Sequence, residues 1–160
     1  MAAKPTLFGV VTPEALVEQD GLTFLQALMD GKEPAPPIMR TLDFRLVWVA
    51  EGKAVFEGDP QLEFYNPIGS VHGGYAATLL DSAASCAVHT TLAKGEAYTT
   101  LELKLNFVRP LTVQAGSVTA EGRVIHRGRT VATAEAYLRD GSGRLYSHAT
   151  ATCVIFPAKG

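Results

Sequence analysis

The chain has 160 residues, enough for one domain whose core needs no covalent staple. Its formal net charge of −2 and its scattered basic residues exclude a nucleic-acid or polyanion surface. Cys86 and Cys153 stand far apart in apolar contexts with no Cys-x-x-Cys spacing, so they read as two buried thiols of a reducing compartment.

The apolar segment Leu7–Val11 is short and is followed by Pro13 and Glu14, which is not a signal-peptide pattern. Thr12-Pro13-Glu14 has the chemistry of a helix start: a capping hydroxyl, a proline at the first helical position and an acid in the first turn. The helical pattern runs to about Asp30, with Asp20-Gly21 as its weak point, and Gly31 ends it. Pro34-Ala35-Pro36-Pro37 is expected to be a stiff extended linker. Residues 1–38 therefore read as an N-terminal helical arm with a Pro-rich linker, laid as a lid over a domain of residues 39–160.

From Thr41 the period changes to two. Phe44, Leu46 and Trp48 alternate, Glu51-Gly52-Lys53 turns, and Ala54–Glu57 returns as a hairpin. Gln61–Tyr65 reads as a short extended piece. Asn66 to Gly74 is rich in turn residues, and from Tyr75 to Ala93 the chain is small or apolar all round, which marks a long buried helix. Asp81 and His89 interrupt that stretch, so no membrane span is expected, and the protein is expected to be soluble and cytoplasmic. Four strands follow: Tyr98–Val108, Ser117–Ile125, Thr130–Arg139 and Arg144–Phe156. Short connections make such strands antiparallel, and one long apolar helix needs cover on several sides. The expected fold class is α+β, a curved antiparallel β-sheet wrapped around one long buried helix.

The pattern Asn66-x-x-Gly69-x-x-His72-Gly73-Gly74, with Asp81 eight residues beyond Gly73 and a long buried helix running through it, resembles the hotdog-fold acyl-CoA thioesterases. The similarity is greatest to the PaaI-type, phenylacetate-degradation branch, and runs from about residue 40 to residue 156. It implies hydrolysis of an acyl-CoA substrate without metal or bound cofactor, in a homodimer that often pairs again into a tetramer. It also implies that Asn66 holds water or thioester, and that a hydroxyl after the helix positions water. Thr100 is the nearest match for that hydroxyl, with Thr99 as its rival.

The residues support this chemistry in their own right. A thioester carbonyl gains negative charge as it is attacked, so it needs donors at its oxygen and a base or nucleophile at its carbon. His72-Gly73-Gly74 opens the helix, where backbone N–H groups are unpaired and the dipole is positive, and the Gly73 N–H is the expected oxyanion donor. Asp81 is the expected base or nucleophile, on one face with Gly74, Thr78, Ser85 and His89. His72 acts there or orients the loop. Gly73 and Asp81 are about 12 Å apart along one helix, too far to act on the same carbonyl, so a twofold dimer with two composite sites is expected. Arg127-Gly128-Arg129, together with Gly74, is a candidate clamp for the CoA phosphates, with Arg109 as a lesser candidate. The four histidines are not clustered, so no metal is expected, and there is no Gly-x-Ser-x-Gly elbow. The competing readings are a non-catalytic acyl-CoA-binding protein of the same fold and a hydratase, which would need an Asp–His or Glu–His dyad that is not evident near Asp81.

Overall fold

The computed structural model describes residues 4–158; residues 1–3 and 159–160, at the two ends of the expected arm and domain, lie outside the described residues. Six antiparallel strands form one sheet: β1 (Phe44–Ala50), β2 (Lys53–Gly58), β3 (Glu96–Phe107), β4 (Val118–Arg127), β5 (Val131–Asp140) and β6 (Leu145–Pro157). Their order across the sheet is β1-β2-β4-β5-β6-β3. The expected strands are all present, with ends shifted by one or two residues.

The long helix, α4 (Gly73–His89), lies against the concave face. Its Leu79, Leu80, Ala83, Ala84, Ala87 and Val88 are buried. They meet a floor of small residues, Ala120, Ala132, Ala134, Ala136, Ala149 and Ala151, which lets a helix sit close. Gly122 is a point of close approach in that contact. A Cβ there would come 2.0 Å from the Ala83 carbonyl oxygen, so only glycine fits. The helix ends at His89, four residues before its expected end at Ala93.

The arm breaks at its weak point into α1 (Pro13–Leu16) and α2 (Gly21–Met29), each with its own N-cap, Thr12 and Asp20. Gly21 docks α2 onto the end of α4: its N–H donates to the Leu92 carbonyl at 3.0 Å. The proline-rich segment is extended only in part. Pro37 occupies the first turn of a third helix, α3 (Pro37–Thr41), because its fixed φ and missing N–H suit that position. Gln61–Tyr65 also departs from expectation, since Leu62–Phe64 forms a 3-10 turn instead of an extended piece. Beside this turn, Arg45 of β1 is 2% exposed and paired with Glu57 and with Asp59, the latter at 3.1 Å.

Two features of β3 matter for the site. It is an edge strand, paired only with β6, and none of its side chains is fully buried. Its register with β6 shifts between Thr100 and Glu102, which leaves Leu101 as a bulge that is 64% exposed.

Candidate active site

The loop Asn66–Val71 is closed by Asn66. The Asn66 Oδ1 accepts from the Ile68 N–H at 3.1 Å and the Ser70 N–H at 3.3 Å, and its Nδ2 donates to the Ser70 Oγ at 3.1 Å. The side chain thus shapes the loop that leads into α4. His72 is the N-cap of that helix, and its Nδ1 accepts from the Gly74 N–H at 2.9 Å. An imidazole that accepts at Nδ1 while neutral carries its proton on Nε2. The capping bond uses the Gly74 N–H, so in the single chain that amide is engaged by His72 and not free for a phosphate. The Gly73 N–H has no partner among the described residues. It is the amide left over at the positive end of α4.

These groups border a cavity of about 370 Å3 that also takes in Ser70, Phe107, Arg109 and Ser147. Phe107 lies over Gly73, where a Cβ would come 2.6 Å from its ring. Arg109 donates to the Leu145 carbonyl at 2.6 Å and carries a positive charge at the cavity wall. Asp81 and Thr100 are not among the lining residues.

Asp81 lies two turns further along α4 and is half-buried. Burial raises its carboxyl above the usual carboxylate range, and a hydrogen bond from the Thr100 hydroxyl partly counters this. That bond runs from Thr100 Oγ1 to Asp81 Oδ1 at 3.1 Å. The expected polar stripe on the helix does not serve the carboxylate. Thr78 donates to the Gly74 carbonyl at 2.9 Å, and His89 stacks between Phe24 and Tyr98. The donor comes from β3 instead. The bulge decides between the two threonines: it switches the pleat, so that Thr100 shares the inner face with Leu103 and Leu105, while Thr99 is exposed.

Arg127, Gly128 and Arg129 lie at the opposite end of the helix from Gly73. Arg127 Nη2 pairs with Glu96 at 2.7 Å, and Glu96 in turn accepts from the Ala93 N–H just beyond α4. Arg127 therefore braces its turn, whereas Arg129 is exposed. Within one chain the turn and the Gly73 cavity are not brought together. Arg109, two residues beyond β3, is the basic group that the single chain does bring there, so the lesser of the two basic candidates in the sequence is the one at this cavity. Both cysteines are free thiols, and among the described residues no three His, Cys, Asp or Glu side chains gather to hold a metal ion.

A strand sheet curled around one helix, with a capped glycine amide at the helix start and a carboxylate two turns in, is the architecture of the hotdog fold. The chain belongs to the thioesterase superfamily, whose sequence profile matches residues 68–147. It is 30% identical over 84% of its length to a provisionally assigned esterase of Saccharolobus solfataricus, covering 94% of that protein. It is 28% identical to the 1,4-dihydroxy-2-naphthoyl-CoA hydrolase of Listeria monocytogenes, over 74% of this chain and 94% of that one. Among solved structures it resembles the phenylacetic acid degradation-related protein of Ralstonia eutropha JMP134, with a TM-score of 0.74 and 31% identity, over 82% of this chain and 98% of the other. No helix among the described residues is long and apolar enough to cross a membrane.

Proposed function

We propose that the protein hydrolyses acyl-CoA thioesters at composite sites formed between two copies of the chain. The division of the site carries this reading. The cavity at the helix start holds Asn66, His72 and the unpaired Gly73 amide, while the carboxylate and its threonine lie outside it. The helix separates Gly73 from Asp81 by about 12 Å, which no rotamer spans.

The free edge of β3 offers the missing half. Leu101, Phe107 and Val108 are 64%, 58% and 47% exposed along it, and an open edge with apolar side chains favours pairing with another strand. Two β3 strands paired antiparallel about a point between Leu103 and Lys104 set Thr100 of one copy across from Phe107 of the other, beside Gly73. The same pairing carries the exposed Arg129 of one copy toward the cavity of the other, where it joins Arg109 as a contact for the CoA phosphates.

In such a site the thioester oxygen accepts the Gly73 N–H, supported by the α4 dipole and ready for the charge that develops there. Asp81 of the second copy acts at the carbon. As general base it takes a proton from water while the water oxygen bonds to the carbonyl carbon. The tetrahedral intermediate then collapses, the C–S bond breaks, and that proton goes to the departing thiolate of CoA. As nucleophile its oxygen bonds to the carbonyl carbon, the C–S bond breaks and CoA leaves as thiolate, giving an acyl-aspartyl anhydride. Water then cleaves the anhydride to free acid and the Asp81 carboxylate, and the proton released goes to the thiolate. Both routes give free acid and CoA, and both need Asp81 ionised, which Thr100 favours. The acyl group is aryl or medium-chain; the listerial relative, a 1,4-dihydroxy-2-naphthoyl-CoA hydrolase, supports the aryl alternative. Working as a dimer, or a dimer of dimers, the protein would act in the cytoplasm with no bound cofactor.

Free-thiol release from a panel of aryl and straight-chain CoA esters tests the reading. Wild type releases CoA, and Asp81→Asn loses at least about 100-fold in turnover, within the range a general base supplies, while still eluting as a dimer. Unchanged turnover removes Asp81 from the mechanism. Binding of the esters without hydrolysis by wild type would make this a non-catalytic acyl-CoA-binding protein.

A further inference from the structure

A second cavity, of about 310 Å3, lies where the arm meets the domain. Phe24 and Leu28 of α2 and Met39 of α3 wall it on one side; Cys86 and His89 of α4 and Tyr98 of β3 wall it on the other. The first three belong to a segment that precedes the stretch matched by the family profile. We infer that this cavity receives the tail of the acyl group, an uncharged straight chain of about six to ten carbons, and that the arm thereby sets chain-length selectivity. The inference rests on the thioester-hydrolase reading and names the substrate class of that site.

Three observations place a tail there. The first is continuity. Cys86 and Tyr98 border the cavity, and the Asp81 carboxylate lies near enough to bear on both of their acidic groups. Tyr98 also stands on the same inner face of β3 as Thr100, two residues before it. A chain whose carbonyl is held at Asp81 is thus led past Tyr98 into the cavity.

The second is length. Cys86 and His89 lie five and eight residues beyond Asp81, about 7.5 and 12 Å along the helix. At about 1.3 Å of advance per carbon–carbon bond, six carbons reach the level of Cys86 and roughly nine or ten reach His89. A phenylacetyl group is shorter and stops before His89.

The third is the absence of charge on the far wall. Burial pushes His89 down to about 4 and the Cys86 thiol up to about 12, so both are neutral near pH 7. His89 is further held between the Phe24 and Tyr98 rings, with centroids 5.5 and 5.2 Å away. A tail that ended in a carboxylate would be stripped of water here without a partner. The cavity depends on the arm being close. A Cβ on Gly21 would come 1.8 Å from the His89 carbonyl oxygen, so glycine is what lets α2 approach the end of α4.

The test measures kcat/KM for butyryl-, hexanoyl-, octanoyl-, decanoyl- and phenylacetyl-CoA with wild type, Leu28→Trp, which fills the cavity, and Leu28→Ala, which enlarges it. Kd for S-octyl-CoA, a thioether that cannot be hydrolysed, is measured on the same three proteins. Wild type is expected to peak between hexanoyl and decanoyl. The octanoyl-to-butyryl ratio should fall at least about tenfold in Leu28→Trp, as pocket contacts of a few methylenes allow, and the optimum should move to longer chains in Leu28→Ala. An octanoyl-to-butyryl ratio that neither variant changes, or a phenylacetyl preference indifferent to Leu28, overturns the inference. If no ester is hydrolysed, the hydrolase reading fails by itself, and the thioether decides the cavity. A tenfold weaker Kd in Leu28→Trp upholds it, and an equal Kd sinks it. Should Leu28→Trp fail to fold, the direction of the shift in Leu28→Ala decides alone.

Discussion

Asp81 is held against its own electrostatics. Burial favours its protonated form, and one hydroxyl, that of Thr100, favours the ionised form. Because the carboxyl is raised in the folded protein and ordinary in the unfolded one, the folded state binds the proton more tightly. The stability linked to that proton is complete below the ordinary carboxyl value and is lost as the pH rises through the folded value. Near neutral pH the charged carboxylate is therefore a cost. Asp81→Asn should melt at a higher temperature than wild type near pH 7, with the gap narrowing toward about pH 4, where an unperturbed carboxyl is half protonated. A gap independent of pH, or one of opposite sign, would contradict this. Thr100→Val removes the one hydroxyl that bonds the carboxylate among the described residues. The acid limb of its kcat/KM profile should move to higher pH, with a fall in kcat of about tenfold or more. A profile that does not move would mean that Thr100 does not tune the Asp81 carboxylate. The placement of Asp81 within α4 and of Gly73 at its start could be read from the sequence because a carboxylate inside an apolar helix and a His-Gly-Gly helix start are local signals. The choice of Thr100 over Thr99 could not be, since it depends on which way a strand faces.

That facing is set at the level of the element. Alternation along β3 groups Thr99, Leu101, Leu103, Leu105 and Phe107 on one side, and the bulge at Leu101 breaks the grouping so that Thr100 turns toward α4. A bulge leaves no mark in a strand's composition, so periodicity predicts the strand and misassigns part of its face. Another departure also comes from local backbone chemistry: Pro37 starts a helix where a proline run suggested only a linker, whereas the break at Asp20-Gly21 falls at the weak point that the sequence marks. The long helix and all six strands were legible because each has an unbroken period and clear turn residues. The contact of α4 with the sheet makes its own prediction at Gly122. Gly122→Ala forces the helix off the floor of β4, since the new Cβ would collide with the Ala83 carbonyl. It should lower stability by about 1–3 kcal/mol, as overpacking does, read as a lower urea midpoint. An unchanged midpoint would show that the helix can shift at no cost.

For the whole molecule, the proposed reading makes one chain a complete fold and half of a site. The core closes around α4, yet β3 keeps an open edge, and the groups that would cradle a carbonyl and attack it sit at different depths on one helix. Two dead variants can test this by complementing each other. Asp81→Asn removes the carboxylate proposed to attack. Gly73→Pro removes the proposed oxyanion N–H at the first position of α4, where the backbone of a helix accepts proline, and its Cβ pushes the tip of the exposed Phe107 ring aside. His72, with φ −58 and ψ 137, already has the extended conformation a following proline requires. Each homodimer is expected to be inactive. When the two are unfolded together in equal amounts and refolded, half of the dimers are mixed, and each mixed dimer holds one intact Gly73–Asp81 pair. The composite site predicts recovery of about a quarter of wild-type turnover. Turnover that stays at the level of the separate variants would mean that each chain holds its own complete site, and would contradict the account.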